Sequence, residues 1–304
     1  MIYTTANLID SIVTRAQLPD TTNTKTISAP ANLLNLATEE MRIKLVPFVM
    51  DSHKDFYVRT LDIPLVAYQT DYPLPTRAIG NVIRSLRMVN GTTDMPLIPV
   101  ERDEVPTMTA AQPFGYFFEN NNIVLYPAPS STGPVLRLRY FIRPNRLEQV
   151  INCAQISAIN TGLNQVTVST IPTAWGTGTV VDLISQINPY SCSAIDQAIS
   201  TVSGTTITFA ALPSSLAVND FIALAEYSPL PQMPEEYQPV LSQMVVCKCL
   251  EATGDRQGLA AALADLKINV KNAVSLITPR DMARPEKIVG NNWRRLRLSR
   301  TFLR

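Results

Sequence analysis

The residues able to do chemistry in this chain are few. They are a single histidine, His53, four cysteines (Cys153, Cys192, Cys247 and Cys249), the adjacent acids Glu39 and Glu40, and the run Trp175-Gly176-Thr177-Gly178. Nucleophilic catalysis needs a base beside the nucleophile, so any triad would have to be built on His53, and no Gly-x-Ser-x-Gly elbow accompanies it. His53 stands in a helical stretch beside Lys54 and Asp55, where it reads as a surface or internally satisfied side chain. Cys247 and Cys249 are two apart on a predicted helix and point about 200° apart, so they cannot share a metal ion. They read as small buried hydrophobes. Glu39 and Glu40, adjacent on a helix, also point apart and read as solvated or interface charges. The glycines of WGTG precede the strand-like TVVDLI, so no helix N-terminus would meet a phosphate there. A β-turn is expected instead. No enzymatic activity, cofactor or metal is expected.

The last fourteen residues, NNWRRLRLSRTFLR, differ in kind from the rest: they hold five arginines and no acid, in a chain of formal net charge +1. Like-charge blocks are interaction arms or disordered tails. A DNA arm would bring Lys and flexible polar residues to several phosphate contacts. Here Trp293, Leu296, Leu298, Phe302 and Leu303 alternate with Arg294, Arg295, Arg297 and Arg300. Arginine and aromatic residues are enriched in protein interfaces, so the segment reads as an arm that orders against another protein.

The scaffold that holds these residues is written in the remainder of the chain. At 304 residues, 46% hydrophobic and 17% charged, it can bury one large core or two modest ones. The low charge is consistent with surface buried in an assembly. No apolar run approaches the ~18 residues of a spanning helix, and the N-terminus lacks the basic start and apolar stretch of a signal peptide. The cysteines show no disulfide spacing, so assembly in a reducing cytoplasm is expected.

Residues 1–56 read as helical. Leu8, Ile9, Ile12, Val13 and Ala16 recur at helical spacing behind a capping Thr, and Pro19 stops the run. Leu34, Ala37, Met41, Leu45 and Phe48 form the stripe of a second helix, kinked or split at Pro47 and continuing to about Phe56. From 57 to 150 the period changes to two: NVIRSLRMV and VLRLRYFI are strands, and YFFENNNIVLYP is a hairpin with an Asn-rich turn. Residues 151–228 read as a small inserted β domain, with strands QISAI, QVTVST, TVVDLISQI, TTITF and DFIALAEY between turns. Helices return over 229–280. Pro234-Glu235-Glu236 starts one with a Leu241, Met244, Val245, Cys249, Ala252 stripe ended by Gly254. A second carries Leu259, Leu263, Leu266, Val270, Val274 and Ile277. The expected class is α+β: N- and C-terminal helices forming a helical bundle, β-rich insertions between them, and an extended C-terminal arm over 281–304.

This layout resembles the head-to-tail adaptor (connector) proteins of tailed bacteriophages along nearly the whole chain. The resemblance is carried by LIDSIVTRAQLPD, NLLNLATEEMRIKLVPFVMDSHKDFYV, YPLPTRAIGNVIRSLRMV, NNNIVLYPAPSSTGPVLRLRYFIRP, NDFIALAEYSPLPQMPEEYQPVLSQMVVCKCLEATGD and VSLITPRDMARPEKIV. One departure is Asn219 before Asp220, where Gly is expected. The resemblance implies a virion structural protein, assembled in the host cytoplasm as a homo-oligomeric ring of about twelve copies. Its partners would be the portal protein, contacted by the C-terminal arm, and a downstream tail or nozzle protein. Packaged double-stranded DNA would pass through the lumen without sequence-specific binding, and no membrane would be involved. A different tail or receptor-contacting β protein is the alternative, with a virion-associated cell-wall hydrolase a weaker one.

Overall fold

The computed structural model describes residues 3–18, 27–102, 111–187 and 192–277. It is mixed α+β. The first helix, α1 (Thr5–Ala16), starts where the Thr4 N–H and hydroxyl both donate to Asn7 Oδ1, at 2.9 and 2.8 Å. It stops because Gln17 turns left-handed, at φ 48°, ahead of the proline that sequence alone made the terminator. α2 (Pro30–Glu40) opens on a proline whose missing N–H costs nothing at a helix start.

The continuation departs from the expected stripe. Pro47 has no N–H to give the Ile43 carbonyl, and the turn before it, Met41–Leu45, widens to π geometry, with the Val46 N–H donating to Met41 O. The extra residue rotates the next turns of the helix. Leu34, Ala37, Met41 and Leu45 are buried as expected, but Val46 and Val49 take the place of Phe48, which is 43% exposed. The next helix, α3 (Val46–Ser52), ends four residues short of Phe56, where His53 leaves helical geometry at φ −135°.

Two four-stranded sheets come next. The first, in order β1-β8-β3-β4, comprises β1 (Val58–Pro64), β8 (Val135–Ile142), β3 (Ala78–Asn90) and β4 (Thr93–Pro96), all antiparallel. The second, β2-β7-β6-β5, comprises β2 (Asp71–Pro73), β7 (Asn122–Tyr126), β6 (Gly115–Glu119) and β5 (Ile98–Pro99). Alternation decides their faces: Leu136, Leu138 and Tyr140 of β8 share a core with Leu86, Met88, Tyr116, Ile123 and Leu125, while Arg137 and Arg139 point away. The β6–β7 hairpin turns on Asn120 and Asn121 at φ 47° and 62°, the pair of left-handed residues a two-residue turn requires.

Six strands close into a barrel in order β10-β11-β14-β13-β12-β15. They are β10 (Ala154–Asn160), β11 (Gln165–Val168), β14 (Thr206–Phe209), β13 (Cys192–Ser203), β12 (Val180–Ile184) and β15 (Phe221–Leu224). The interior is filled by Ile156, Val166, Leu183, Ile199, Ile207, Phe209 and Ile222, with Trp175 at the edge. β13 has no counterpart in the sequence reading, because CSAIDQAISTVS is poor in β-formers and its alternation is broken by a bulge. Asn219 is left-handed, at φ 75°, so the Asn that stands where Gly is expected occupies a position that suits either. A parallel pair, β9 (Arg146–Leu147) with β16 (Tyr227–Ser228), joins the barrel's exit to the sheet's.

The chain returns to helix at Glu235–Tyr237, a single 3-10 turn, then α4 (Gln238–Thr253), ended by Gly254 at φ 79°. α5 is Arg256–Ile277. α1, α2 and α5 each pack against α4, so α4 is buried all round from Val240 to Cys247 rather than along one stripe, and Ala252 is exposed. Apolar residues of α1, α2, α3 and α4 share one cluster, with Ala273 and the partly buried Leu266, Val270 and Val274 of α5. Leu263, placed in the buried stripe by its spacing, is 49% exposed; Ala262 packs inward instead. Side-chain hydrogen bonds fasten the layers. Thr38 Oγ1 donates to Leu34 O (2.8 Å) and accepts the Leu147 N–H (3.0 Å), and Thr5 Oγ1 donates to Glu148 O (2.7 Å).

Candidate functional site

No catalytic constellation forms among the residues singled out from the sequence. His53 ends α3 with its ring edge-on to Phe56, centroids 5.7 Å apart. Glu39 is exposed, whereas Glu40 is turned inward and pairs with Lys44 at 2.5 Å. Gly178, left-handed at φ 84°, precedes β12 in a turn. Among the described residues no group of three or more His, Cys, Asp and Glu is placed to hold a metal ion. The predicted arm residues Trp293, Arg294, Arg295, Leu296, Arg297, Leu298, Arg300 and Phe302 lie outside the described residues.

All four cysteines are buried and free. Burial pushes the Cys153 and Cys192 thiols up to about 12 and Cys249 to about 11, and raises Cys247. Thiolate is the reactive form, so the folded chain is expected to resist iodoacetamide at about pH 8. Labelling at the cysteines should appear only on unfolding; mass-spectrometric labelling of the native protein at Cys192 would contradict this.

What the sequence did not reveal is a buried polar junction between the sheet and the barrel. Arg77, just before β3, is 4% exposed, and Asp182, in the middle of β12, is fully buried. The Arg77 guanidinium donates to both Asp182 oxygens, at 2.6 and 3.0 Å, and to Asp196 at 2.6 Å. Asp182 also accepts from Asn145 Nδ2 (2.7 Å) and from the backbone N–H groups of Asp196 (2.9 Å) and Glu226 (3.1 Å). The β13 bulge opposite Asp182 makes this possible, with Asp196 left-handed at φ 54°. Burial pulls the Arg77 pKa down, and the carboxylates of Asp182 and Asp196 overcome that to leave it raised. Around the pair, Gln232 Oε1 accepts the Asn145 N–H (2.6 Å), Gln232 Nε2 donates to Cys192 Sγ (3.2 Å), and Tyr57 Oη donates to Gln232 O (2.9 Å). Sheet, barrel and the approach to α4 thus meet at one satisfied ionic network, whose role is positional.

The helical end offers surface instead of chemistry. On one side of the α4–α5 contact lies an open groove of about 720 Å3, lined by the end of α1, by α4 and by α5. On the other, the π turn, α4 and α5 wall an apolar cleft that includes Met244, Leu259 and Leu263.

Set beside known proteins, the chain from residue 3 to residue 288 matches the family model described as SU10 adaptor protein. The chain belongs to this family. No curated protein matches it. SU10 adaptor membership makes it a bacteriophage structural adaptor of the virion, from a family that is structural rather than enzymatic. No helix among the described residues is long and apolar enough to cross a membrane. The matched span stops short of Trp293, so the basic arm stands beyond it.

Proposed function

We propose that this SU10-type adaptor is the head-to-tail connector of its virion: a ring of about twelve copies that docks beneath the portal vertex, extends the DNA channel and presents the attachment surface for the next tail component. The observation that carries this reading is the family match over residues 3–288. The helices of the two chain ends, sharing one apolar cluster, suit a ring wall. The sheets and barrel, joined to each other through Arg77 and Asp182, suit an outward or tail-facing part. The segment 281–304 is the portal arm, with Trp293, Leu296, Leu298 and Phe302 as apolar anchors and Arg294, Arg295, Arg297 and Arg300 pairing with portal carboxylates.

Truncation after Gly290 tests the arm. The shortened protein is expected to fold and stay soluble yet fail to attach to portal. Because apolar anchors carry most binding energy and rim charges tune rate and salt dependence, Trp293→Ala and Phe302→Ala should weaken attachment more than any single arginine substitution, at low and high salt alike. A DNA arm would show the reverse, each arginine lowering the salt slope by about one. Portal attachment that survives the truncation removes the arm from the account.

A further inference from the structure

Three arginines meet where the helical end touches the exit of the first sheet. Arg42 stands on the π turn, and its guanidinium donates to Pro144 O through Nε (3.0 Å) and a terminal nitrogen (2.6 Å). The residue before that proline is Arg143, one past the end of β8. Two residues after it comes Arg146 in β9, the short strand against which α2 packs. Arg143 spends one N–H on Ala78 O at 3.3 Å. Arg143 and Arg146 are exposed, whereas Arg42 is half-buried.

Other arginines of this molecule have found acids: Arg77, Arg84, Arg87, Arg102 and Arg137 each pair with a carboxylate. Among the described residues no ion pair engages Arg42, Arg143 or Arg146. Burial, then repulsion from Arg146 and Arg143, lowers the Arg42 pKa; Glu226 is the acid that opposes them. The other acids close in sequence are turned elsewhere or stand free. Glu40 pairs with Lys44, and Glu148 accepts from the Gln149 N–H (2.9 Å) and Asn152 Nδ2 (2.8 Å). Glu39, three residues before Arg42, is exposed and joins no ion pair among the described residues.

A guanidinium does not shed its charge at any ordinary pH, and Arg42, tied to a carbonyl, is not free to swing into solvent. The repulsion is therefore built into the fold, and an anion from outside offsets it. Three guanidiniums against Glu226 leave two positive charges in excess. A carboxylate would bring one charge and two oxygens, whereas a phosphate group brings about 1.5–2 negative charges at neutral pH and three acceptor oxygens. We propose that Arg42, Arg143 and Arg146 form a site for a dianionic phosphate, free or carried as a phosphomonoester. Bound there, the phosphate ties the π turn to β9 and removes the repulsion between the arginines.

The test is isothermal titration calorimetry of the full chain with inorganic phosphate, at an ionic strength held constant with chloride. Phosphate is expected to bind this site and to raise the melting temperature as its concentration rises. Arg146→Gln and Arg143→Gln should each weaken binding about tenfold, as expected for the loss of one charge-assisted hydrogen bond. The Arg146 side chain is exposed and joins no ion pair among the described residues, so in chloride Arg146→Gln should melt as the unmodified chain does. Arg137→Gln, which removes the partner of Asp62, should leave phosphate binding unchanged. Adenosine monophosphate distinguishes the sources: binding as tight as inorganic phosphate or tighter assigns the site to a phosphomonoester, and weaker binding assigns it to the free ion. A chain that does not bind phosphate, or Arg146→Gln that binds it unchanged, would overturn the site. So would acetate or dimethyl phosphate bound as tightly as phosphate, since each carries a single charge.

Discussion

Replacing Arg77 with methionine is expected to cost the folded protein about 3–5 kcal/mol, because it strips a buried carboxylate of its counter-charge. Asp182 is fully buried, and its remaining donors, Asn145 Nδ2 and two backbone N–H groups, are neutral. Denaturant unfolding of Arg77→Met should show the loss as a lower midpoint. The double variant Arg77→Met/Asp182→Leu should regain much of it, since apolar replacement of a whole buried pair is often neutral. Arg137 and Asp62 form the control: they pair through two hydrogen bonds of 2.9 Å on the exposed face of the sheet, where solvent screens them, so Arg137→Gln should leave the midpoint nearly unchanged. If Arg77→Met unfolds like that control, the junction does not hold the barrel to the sheet.

The second large effect belongs to the helical core. Leu45 is completely buried at the end of the π turn, within the cluster shared with α4. Leu45→Asp places an unpaired charge there and should destabilise the fold by about 3 kcal/mol or more. Leu263 looks equivalent by helical spacing, but it is half exposed beside the cleft. Leu263→Asp should therefore stay within about 0.5 kcal/mol of the unmodified protein. Equal losses at both positions, measured by chemical unfolding, would contradict the placement of α5.

That pair of leucines shows what spacing can and cannot tell. Periodicity identified the helices and most strands, since a half-buried element writes its burial into its own sequence: the Leu136, Leu138, Tyr140 alternation and the Asn-rich hairpin both appear as expected. It failed where burial is decided by another part of the chain. α4 is covered on all sides by α1, α2 and α5, so a single-stripe reading understates it, and α5 lies at the edge, so the same reading overstates it. Phe48 moved out because Pro47 changed the helical phase upstream. β13 was missed because its residues serve the junction and a bulge more than a pleated face.

The junction itself left one trace, an aspartate in the middle of the apolar run Val181-Asp182-Leu183. A buried charge in a strand demands a partner, but nothing local names Arg77, 105 residues away. Docking surfaces leave still less trace in a sequence, because an interface is complementary to a partner and has no periodicity of its own.

The central claim is that this SU10-family chain builds a ring on a portal. Electron microscopy of the full-length protein, alone and mixed with its portal, tests it most directly. The account predicts a closed ring in register with the portal in the mixture, and no persistent symmetric dimer in the free protein. A stable twofold dimer that ignores portal, or portal particles that remain bare at saturating adaptor, would contradict it.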